Sequence, residues 1–384
     1  ASKMYRQLPG LASMTQFSNK GNEVAFGTIG DASTSEGPFW ETINAAGVLQ
    51  VPMVMSVWDD EYGISVHARY QTTKENISEI LKGFQRDVDN NGYEIMTVKG
   101  WDYPALVATY QKASAIAREE HVPVLVHVQE LTQPQGHSTS GSHERYKSSE
   151  RLEWEREWDC NKKMKEWLIF NELTTEEQLN QLESDVKQEV RLAKQAAWDK
   201  YYLPIKEKVQ EAIQLAQTNI NEADWALIEP ICVELINNKE PLKRDIFRMV
   251  HLVLETLPSH ANAAAINSFI ANYHATEAPY YAKDLYDEGP KSTLNVSVES
   301  VQYAPDAPIV NGYEVLNHYF DELFTSNPKV FAFGEDLGNI GDVNQGFAGL
   351  QAKHGEDRIF DTGIREQTIM GQAHGLAMRG LRPI

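Results

Sequence analysis

The chain has 384 residues, an ordinary hydrophobic fraction of 42% and a formal net charge of −20 at pH 7. That length suffices for two or three domains with sizeable cores, and the acidic balance without any basic cluster excludes a protein that tracks a nucleic-acid backbone. Two cysteines, Cys160 and Cys232, are too few for a disulfide framework and too far apart for a zinc motif, so they fit a reducing compartment as inert thiols. No apolar run approaches the ~20 residues that a bilayer span needs, and the N-terminus lacks a signal-peptide pattern. The expectation is a soluble cytoplasmic protein with neither nucleic acid nor membrane as partner.

The chain opens on a polar segment, Ala1 to Asn22. An apolar run, Val24 to Ile29, then ends at Gly30-Asp31. A helical stretch from Gly37 to Leu49 follows, and a second apolar run, Val51 to Val57, ends at Asp59-Asp60. Strand, crossover and strand in this length make a right-handed βαβ unit with parallel strands. After it the pattern predicts a helix over Thr73–Arg86, a strand over Tyr93–Val98, a helix over Asp102–Glu119 and a strand over Pro123–Gln129. Such alternation gives a mostly parallel sheet covered by helices.

From Ser148 to about Ala282 the character is helical. Thr174-Thr175-Glu176-Glu177 reads as a capping-box start, and Leu179, Leu182, Val186 and Val190 follow at helical spacing. The aromatic residues of this stretch (Trp154, Trp158, Trp167, Trp198, Tyr201, Tyr202) read as packing, and the charge run Glu150 to Glu157 as a solvated face. Residues 285–310, with Gly289-Pro290, Pro305 and Pro308, read as a linker. A second αβ segment follows: a helix over Tyr313–Phe324, a strand over Val330–Phe333 ending at Gly334-Glu335-Asp336, a Gly-rich loop over Gly338–Gly349, a strand over Arg358–Phe360 and a helix over Gln367–Met378. The chain then stops at Arg382-Pro383-Ile384, where a strand should begin, and so reads as a fragment.

Asp31 and Asp60 both fall just past the carboxyl ends of their strands, the edge of an open parallel sheet where ligands bind. Two carboxylates there, beside a helix N-terminus, can hold a hard divalent cation together with a phosphate group. On spacing alone, solvated loop caps remain the other reading.

These residues carry a resemblance. Gly30-Asp31-Ala32 followed by Asp59-Asp60 resembles the thiamine diphosphate motif, usually Gly-Asp-Gly followed some thirty residues later by Asn-Asn. Ser35-Glu36-Gly37 and Tyr62-Gly63-Ile64-Ser65 are similar to the same block in the dehydrogenase component of 2-oxo acid dehydrogenase complexes. Gly136-His137-Ser138-Thr139-Ser140 resembles the active-site loop of that family's α subunit. Gly334-Glu335-Asp336 and Ile364-Arg365-Glu366-Gln367 resemble motifs near the start of its β subunit. The chain thus looks like an α part and the beginning of a β part in tandem, of the pyruvate or branched-chain 2-oxo acid type. The resemblance implies an α/β, transketolase-like thiamine-diphosphate-binding fold with a helical connecting segment. Residues 1–150 would bind diphosphate and magnesium, 151–284 would complete the α-like part, 285–310 would link, and 311–384 would begin the pyrimidine-binding domain.

The implied roles follow residue by residue. Asp31, Asp60 and the carbonyl of Tyr62 would ligate Mg2+. The main chain at Ala32 and Ser33 would face the diphosphate, with Ile64 beside the cofactor. His137 would lie near the diphosphate and the reacting carbon, and His143 and Arg145 on the same loop would meet phosphate or a substrate carboxylate. Glu366 would hydrogen-bond the aminopyrimidine and promote deprotonation of the thiazolium carbon, with Glu335 as an interfacial support. The implied reaction is oxidative decarboxylation of a 2-oxo acid with acyl transfer to the lipoyl group of a partner dihydrolipoyl acyltransferase, in a dimer or larger homo-oligomer. Two rival readings stand beside it: a transketolase-type enzyme acting on sugar phosphates, and a non-catalytic assembly module. Two departures stand out, Ala32 for the second glycine and Asp59-Asp60 for Asn-Asn, and Asp60 adds one negative charge beside an anionic diphosphate. Trp58 stands where some relatives carry a basic residue, so no neighbour in sequence compensates.

Overall fold

The computed structural model describes residues 1–133, 143–282, 285, 288–290 and 292–384. His137 lies outside the described residues. Two compact units divide the chain. One combines Ala1–Thr175 with Asp306–Ile384, and the other is Glu176–Pro305.

The first unit starts with helix α1 (Ser2–Gln7) and holds strands β1 (Ala25–Gly30) and β2 (Met53–Trp58) around helix α2 (Gly37–Leu49). The apolar runs end in Gly30-Asp31 and Trp58-Asp59-Asp60 because the chain must turn out of the sheet there. A two-stranded ribbon, β3 (Tyr62–Gly63) with β4 (Val66–His67), follows at once. A short helix α3 (Ile77–Ile80), strand β5 (Glu94–Lys99), helix α4 (Tyr103–Glu120) and strand β6 (Val124–Gln129) complete the sheet. All four long strands are parallel in the order β1-β2-β6-β5. Their two faces bury separate cores, Phe39, Ile43, Val57, Leu81 and Tyr93 under α2 on one side, and Val54, Val98, Ala113, Ala117 and Val126 under α4 on the other. Asp102 caps α4 by accepting from the Ala105 N–H at 3.1 Å.

The helix expected over Thr73–Arg86 is instead a chain of short turns. Lys74 and Glu75 adopt positive φ, and Asn76 restarts a helical turn by accepting from Glu79 N–H. Left-handed backbone at two consecutive positions cannot sit inside an α-helix. Helices α5 (Ser149–Glu157) and α6 (Cys160–Phe170) belong to this first unit rather than to the helical one that follows. Trp158 lies 4.6 Å from the Trp101 ring and Trp167 5.8 Å from Tyr103, which fastens both helices beside α4. The α5 charge run is not uniformly solvated: the Glu155 side chain is 1% exposed.

The second unit contains α7 (Glu176–Gln217), α8 (Glu222–Asn237), α9 (Lys243–Thr256) and α10 (Ala263–Ala282). Its core joins Ile205, Ala212, Ile228, Cys232, Ile246, Val250, Val253, Ile266 and Phe269. Burial pushes the Cys232 thiol up to about 11, which makes it inert. The stripe Leu182, Val186 and Val190 is helical as the spacing predicts, yet exposed. Periodicity fixes which residues share a face, not what covers that face.

Past residue 306 the chain rejoins the first unit with helix α11 (Gly312–Ser326), strand β7 (Val330–Gly334), helix α12 (Leu350–His354), strand β8 (Ile359–Asp361), helix α13 (Glu366–Met378) and strand β9 (Arg382–Pro383). This small parallel sheet has the order β8-β7-β9. The polar opening segment is part of its core. Tyr5, Leu11 and Met14 pack with Phe331, Phe333, Leu376 and Leu381, and the Tyr5 hydroxyl donates to the Arg379 carbonyl at 2.6 Å. Lys3 of the same segment donates to the Leu49 carbonyl at the end of α2 at 2.9 Å. Residues 1–22 therefore tie the two αβ parts together. Among the described residues no helix is long and apolar enough to cross a membrane.

Candidate functional site

The register of the first sheet puts the acidic residues side by side. Gly30 pairs with Trp58, and the Asp31 N–H donates to the Trp58 carbonyl at 3.0 Å, so Asp31 and Asp59 leave adjacent strands at the same level. Asp31 is buried where the chain turns into the short 3-10 stretch Ala32–Ser35, and Thr34 closes that turn by donating its hydroxyl to the Asp31 carbonyl at 2.6 Å. Helix α2 begins two residues later. Gly63 of the β3–β4 ribbon sits directly over this turn. A Cβ there would come within 2.6 Å of the Ala32 Cβ, so only glycine allows the ribbon to close on the turn.

Asp59 and Asp60 have different tasks. Asp59 Oδ1 accepts from the Glu61 N–H at 2.9 Å, and Oδ2 lies 2.8 Å from Nε2 of the fully buried His127 on β6. With its carboxylate held from both sides, Asp59 fixes the turn. Among the described residues Asp60 Oδ1 receives only the Tyr62 N–H, at 3.3 Å. Burial, and then the charges of Asp59 and Asp60, push the Asp31 carboxyl up to about 7. Burial also pushes Asp60 up, against the Tyr62 N–H and the Lys147 ammonium, which hold it down.

A group absent from the sequence-based site surrounds Asp60 and Tyr62. Arg151 donates from Nη2 to the Asp60 carbonyl at 3.0 Å, from Nε to Glu155 Oε1 at 2.9 Å, and from Nη1 to Glu61. Lys147 donates to the same Glu155 Oε1 at 2.7 Å and stands 4.8 Å above the Tyr62 ring. The i,i+4 spacing of Arg151 and Glu155 was the one sequence signal for this group. Its connection to Asp60 spans 91 positions and has no local trace. Of the remaining loop residues, Ser33 and Ile64 are exposed at the same edge, and Arg145 is exposed on the short turn His143–Arg145. His143 has a buried Nδ1 without a hydrogen-bond partner among the described residues.

The second sheet presents its own carboxyl edge. Glu335 follows β7, and Glu366 opens α13; both are exposed. The turn between β8 and α13 is anchored by the Thr362 N–H on the Gly334 carbonyl at 2.9 Å and by Asp361 Oδ1, which accepts from Gly338 N–H at 2.7 Å. Arg365 caps α13 from a buried position, and its Nε, like Thr362 Oγ1, has no hydrogen-bond partner. The two parts meet through their helices: the Thr368 hydroxyl on α13 donates to Glu41 Oε2 on α2 at 2.6 Å. The helix that leaves the Asp31 turn and the helix that Glu366 opens are thus bonded to each other within a turn or two of their N-termini.

Two family models match the chain. One, described as dehydrogenase E1 component, covers residues 2–206, and the other, described as transketolase, pyrimidine binding domain, covers residues 310–384. The first alone spans more than half of the sequence. The chain belongs to the dehydrogenase E1 component family. Its second αβ part carries the transketolase-like pyrimidine-binding fold. The chain is 43% identical over 76 residues to the pyruvate dehydrogenase E1 component subunit beta of Acholeplasma laidlawii, which covers 20% of this chain and 23% of that protein. It is 27% identical over 215 residues to the 2-oxoisovalerate dehydrogenase subunit alpha 1 of Arabidopsis thaliana, covering 55% of this chain and 43% of that protein. A beta subunit of 2-oxoisovalerate dehydrogenase from Dictyostelium discoideum is 34% identical over 96 residues, 25% of this chain and 26% of the relative. The chain spans less than half the length of each of these relatives. An alpha-like and a beta-like E1 segment are therefore joined in one chain, with residues 207–309 between the two matches.

The residues at the first sheet edge fit a divalent cation. Two carboxylates crowd each other there, one raised to about 7 by burial and by its acidic neighbours, and both offer the hard oxygen atoms that Mg2+ prefers. Among the described residues no cluster of three or more His, Cys, Asp or Glu side chains forms a metal cage. A cation held there needs oxygen atoms from the main chain or from a ligand to complete its shell.

Proposed function

We propose that this chain is the thiamine-diphosphate-dependent component of a 2-oxo acid dehydrogenase complex, with both halves of its cofactor site supplied by one polypeptide. The observation that carries the reading is the pair of linked sheet edges. Asp31 and Asp60 crowd one edge, Glu366 opens a helix at the other, and the Glu41–Thr368 hydrogen bond joins the helices that arise from them.

In this reading Asp31, Asp60 and the Tyr62 carbonyl would hold Mg2+, and Ala32 and Ser33 would present main chain to the diphosphate near the start of α2. Glu366 contacts the aminopyrimidine and governs its proton, with Glu335 supporting from the neighbouring strand end. When bound, the cofactor supplies the carbon nucleophile and electron sink for decarboxylation. The chain's own residues orient it, exclude water and hold the proton at the Glu366 carboxylate. His137, outside the described residues, would act near the diphosphate and the reacting carbon, as the resemblance implies. The acyl group passes to a lipoyl-bearing acyltransferase, and the active form is a homo-oligomer in the cytoplasm, where two free cysteines stay reduced. The beta-subunit likeness to pyruvate and 2-oxoisovalerate dehydrogenases supports a 2-oxo acid over a sugar phosphate.

The test is a thiamine diphosphate titration of the full-length protein with and without Mg2+, followed by circular dichroism, and then decarboxylation of pyruvate against branched-chain 2-oxo acids. Metal-dependent saturation with turnover of one acid is the expected result. Absence of any binding signal would instead favour an assembly module.

A further inference from the structure

Asp60 stands where the resemblance leads one to expect asparagine, and a charge there is costly. Two like charges in close contact repel each other, and several times more strongly near a protein surface than in bulk water. The anionic diphosphate would meet that charge with no basic neighbour in sequence. In space the situation differs. Lys147 comes from a segment 87 positions away in the chain and lies against Tyr62, whose N–H bonds the Asp60 carboxylate. Its ammonium is not a mobile surface charge: the side chain is 1% exposed, fixed on Glu155 and packed on an aromatic face. Glu155 does not neutralise it alone, because the same Oε1 also takes Arg151, while Oε2 is buried and has no hydrogen-bond partner among the described residues.

We propose that Lys147 is a positioning residue that offsets the added charge of Asp60, so that the 60–62 turn can hold a metal–diphosphate group with a carboxylate in place of an amide. Arg151 steadies the same turn through the Asp60 carbonyl. The inference rests on the cofactor reading above. It differs from a purely structural role, in which the Lys147–Glu155 pair only pins α5 against the ribbon.

A double-mutant cycle separates the two roles. Lys147→Gln keeps a donor for Glu155 and removes the charge; Asp60→Asn removes its partner. Thiamine diphosphate affinity at saturating Mg2+ is read by calorimetry on the full-length protein, with thermal unfolding as a control. Lys147→Gln should weaken binding about tenfold when Asp60 is intact and no more than about twofold in the Asp60→Asn background, and Lys147→Arg should stay within about threefold of the starting protein. An equal loss in both backgrounds overturns the proposal. If Lys147→Gln does not fold, Lys147→Met enters the same cycle with the same criterion. A starting protein that binds no thiamine diphosphate overturns the cofactor reading itself, whereas binding without coupling overturns this inference alone.

Discussion

Asp31 should make the metal-free protein less stable as pH rises, and Asp31→Asn should remove that loss. Its folded-state carboxyl titrates near 7, above the ordinary 3.8. The folded chain therefore keeps a proton that the unfolded chain releases from about pH 4 upward. Stability contributed by that proton is full below the unfolded value and is lost as pH climbs through the folded one. At about 1.4 kcal/mol for each pH unit between those two values, the penalty reaches up to about 4 kcal/mol by pH 8, of which about 3 kcal/mol accrues between pH 5 and pH 8. Asparagine at this position carries no charge at either pH. Thermal unfolding in a chelator should then show Asp31→Asn gaining on the wild type by about 6 °C more at pH 8 than at pH 5. Added Mg2+ should raise the wild type at pH 8 and leave the variant unchanged. Equal differences at the two pH values would refute the crowding of carboxylates from which this reasoning starts.

Glu366→Gln should retain thiamine diphosphate binding within a few-fold and lower decarboxylation by about a hundredfold or more, as loss of a proton-transfer group does; a rate near wild type removes Glu366 from the chemistry. Asp59→Ala leaves His127 buried without its carboxylate and should cost about 2–4 kcal/mol by denaturant titration, more than the same change at the exposed Glu335. Thr368→Val removes the hydrogen bond to Glu41 and should weaken thiamine diphosphate binding by about 1 kcal/mol, read by calorimetry. In the helical unit, Ile246→Ala at a fully buried position should cost about 2–5 kcal/mol, seen as an earlier loss of far-ultraviolet helical signal on heating.

The parallel sheet and the Asp31 edge were legible because both apolar runs are continuous and each ends in an acidic turn, although only the second strand is buried and the first lies largely exposed at the sheet edge. The second αβ part was legible for the same reason at Val330–Gly334. The Thr73–Arg86 region was not: positive φ at Lys74 and Glu75 carries no glycine to announce it. Nor could pattern alone separate the tasks of Asp59 and Asp60, since His127 reaches Asp59 across 68 positions. Glu155 looked like one more surface charge because its burial depends on Lys147, outside the helix it sits on. The opening segment read as polar overall, and its buried large apolar residues, Tyr5, Leu11 and Met14, are too sparse to show a period.

The compact first unit is built from two separated stretches of chain, with 130 residues of helical unit between them (176 to 305). Its alpha-like and beta-like parts are consequently made in equal numbers at every round of translation, and they cannot be diluted apart. In a two-chain enzyme their association would follow the concentrations of both subunits. Here it is an intramolecular closure, with an effective concentration set by the connecting chain rather than by expression. Dilution should thus leave the Glu41–Thr368 junction intact, and any loss of activity on dilution would report contacts between copies of the chain, not between its halves.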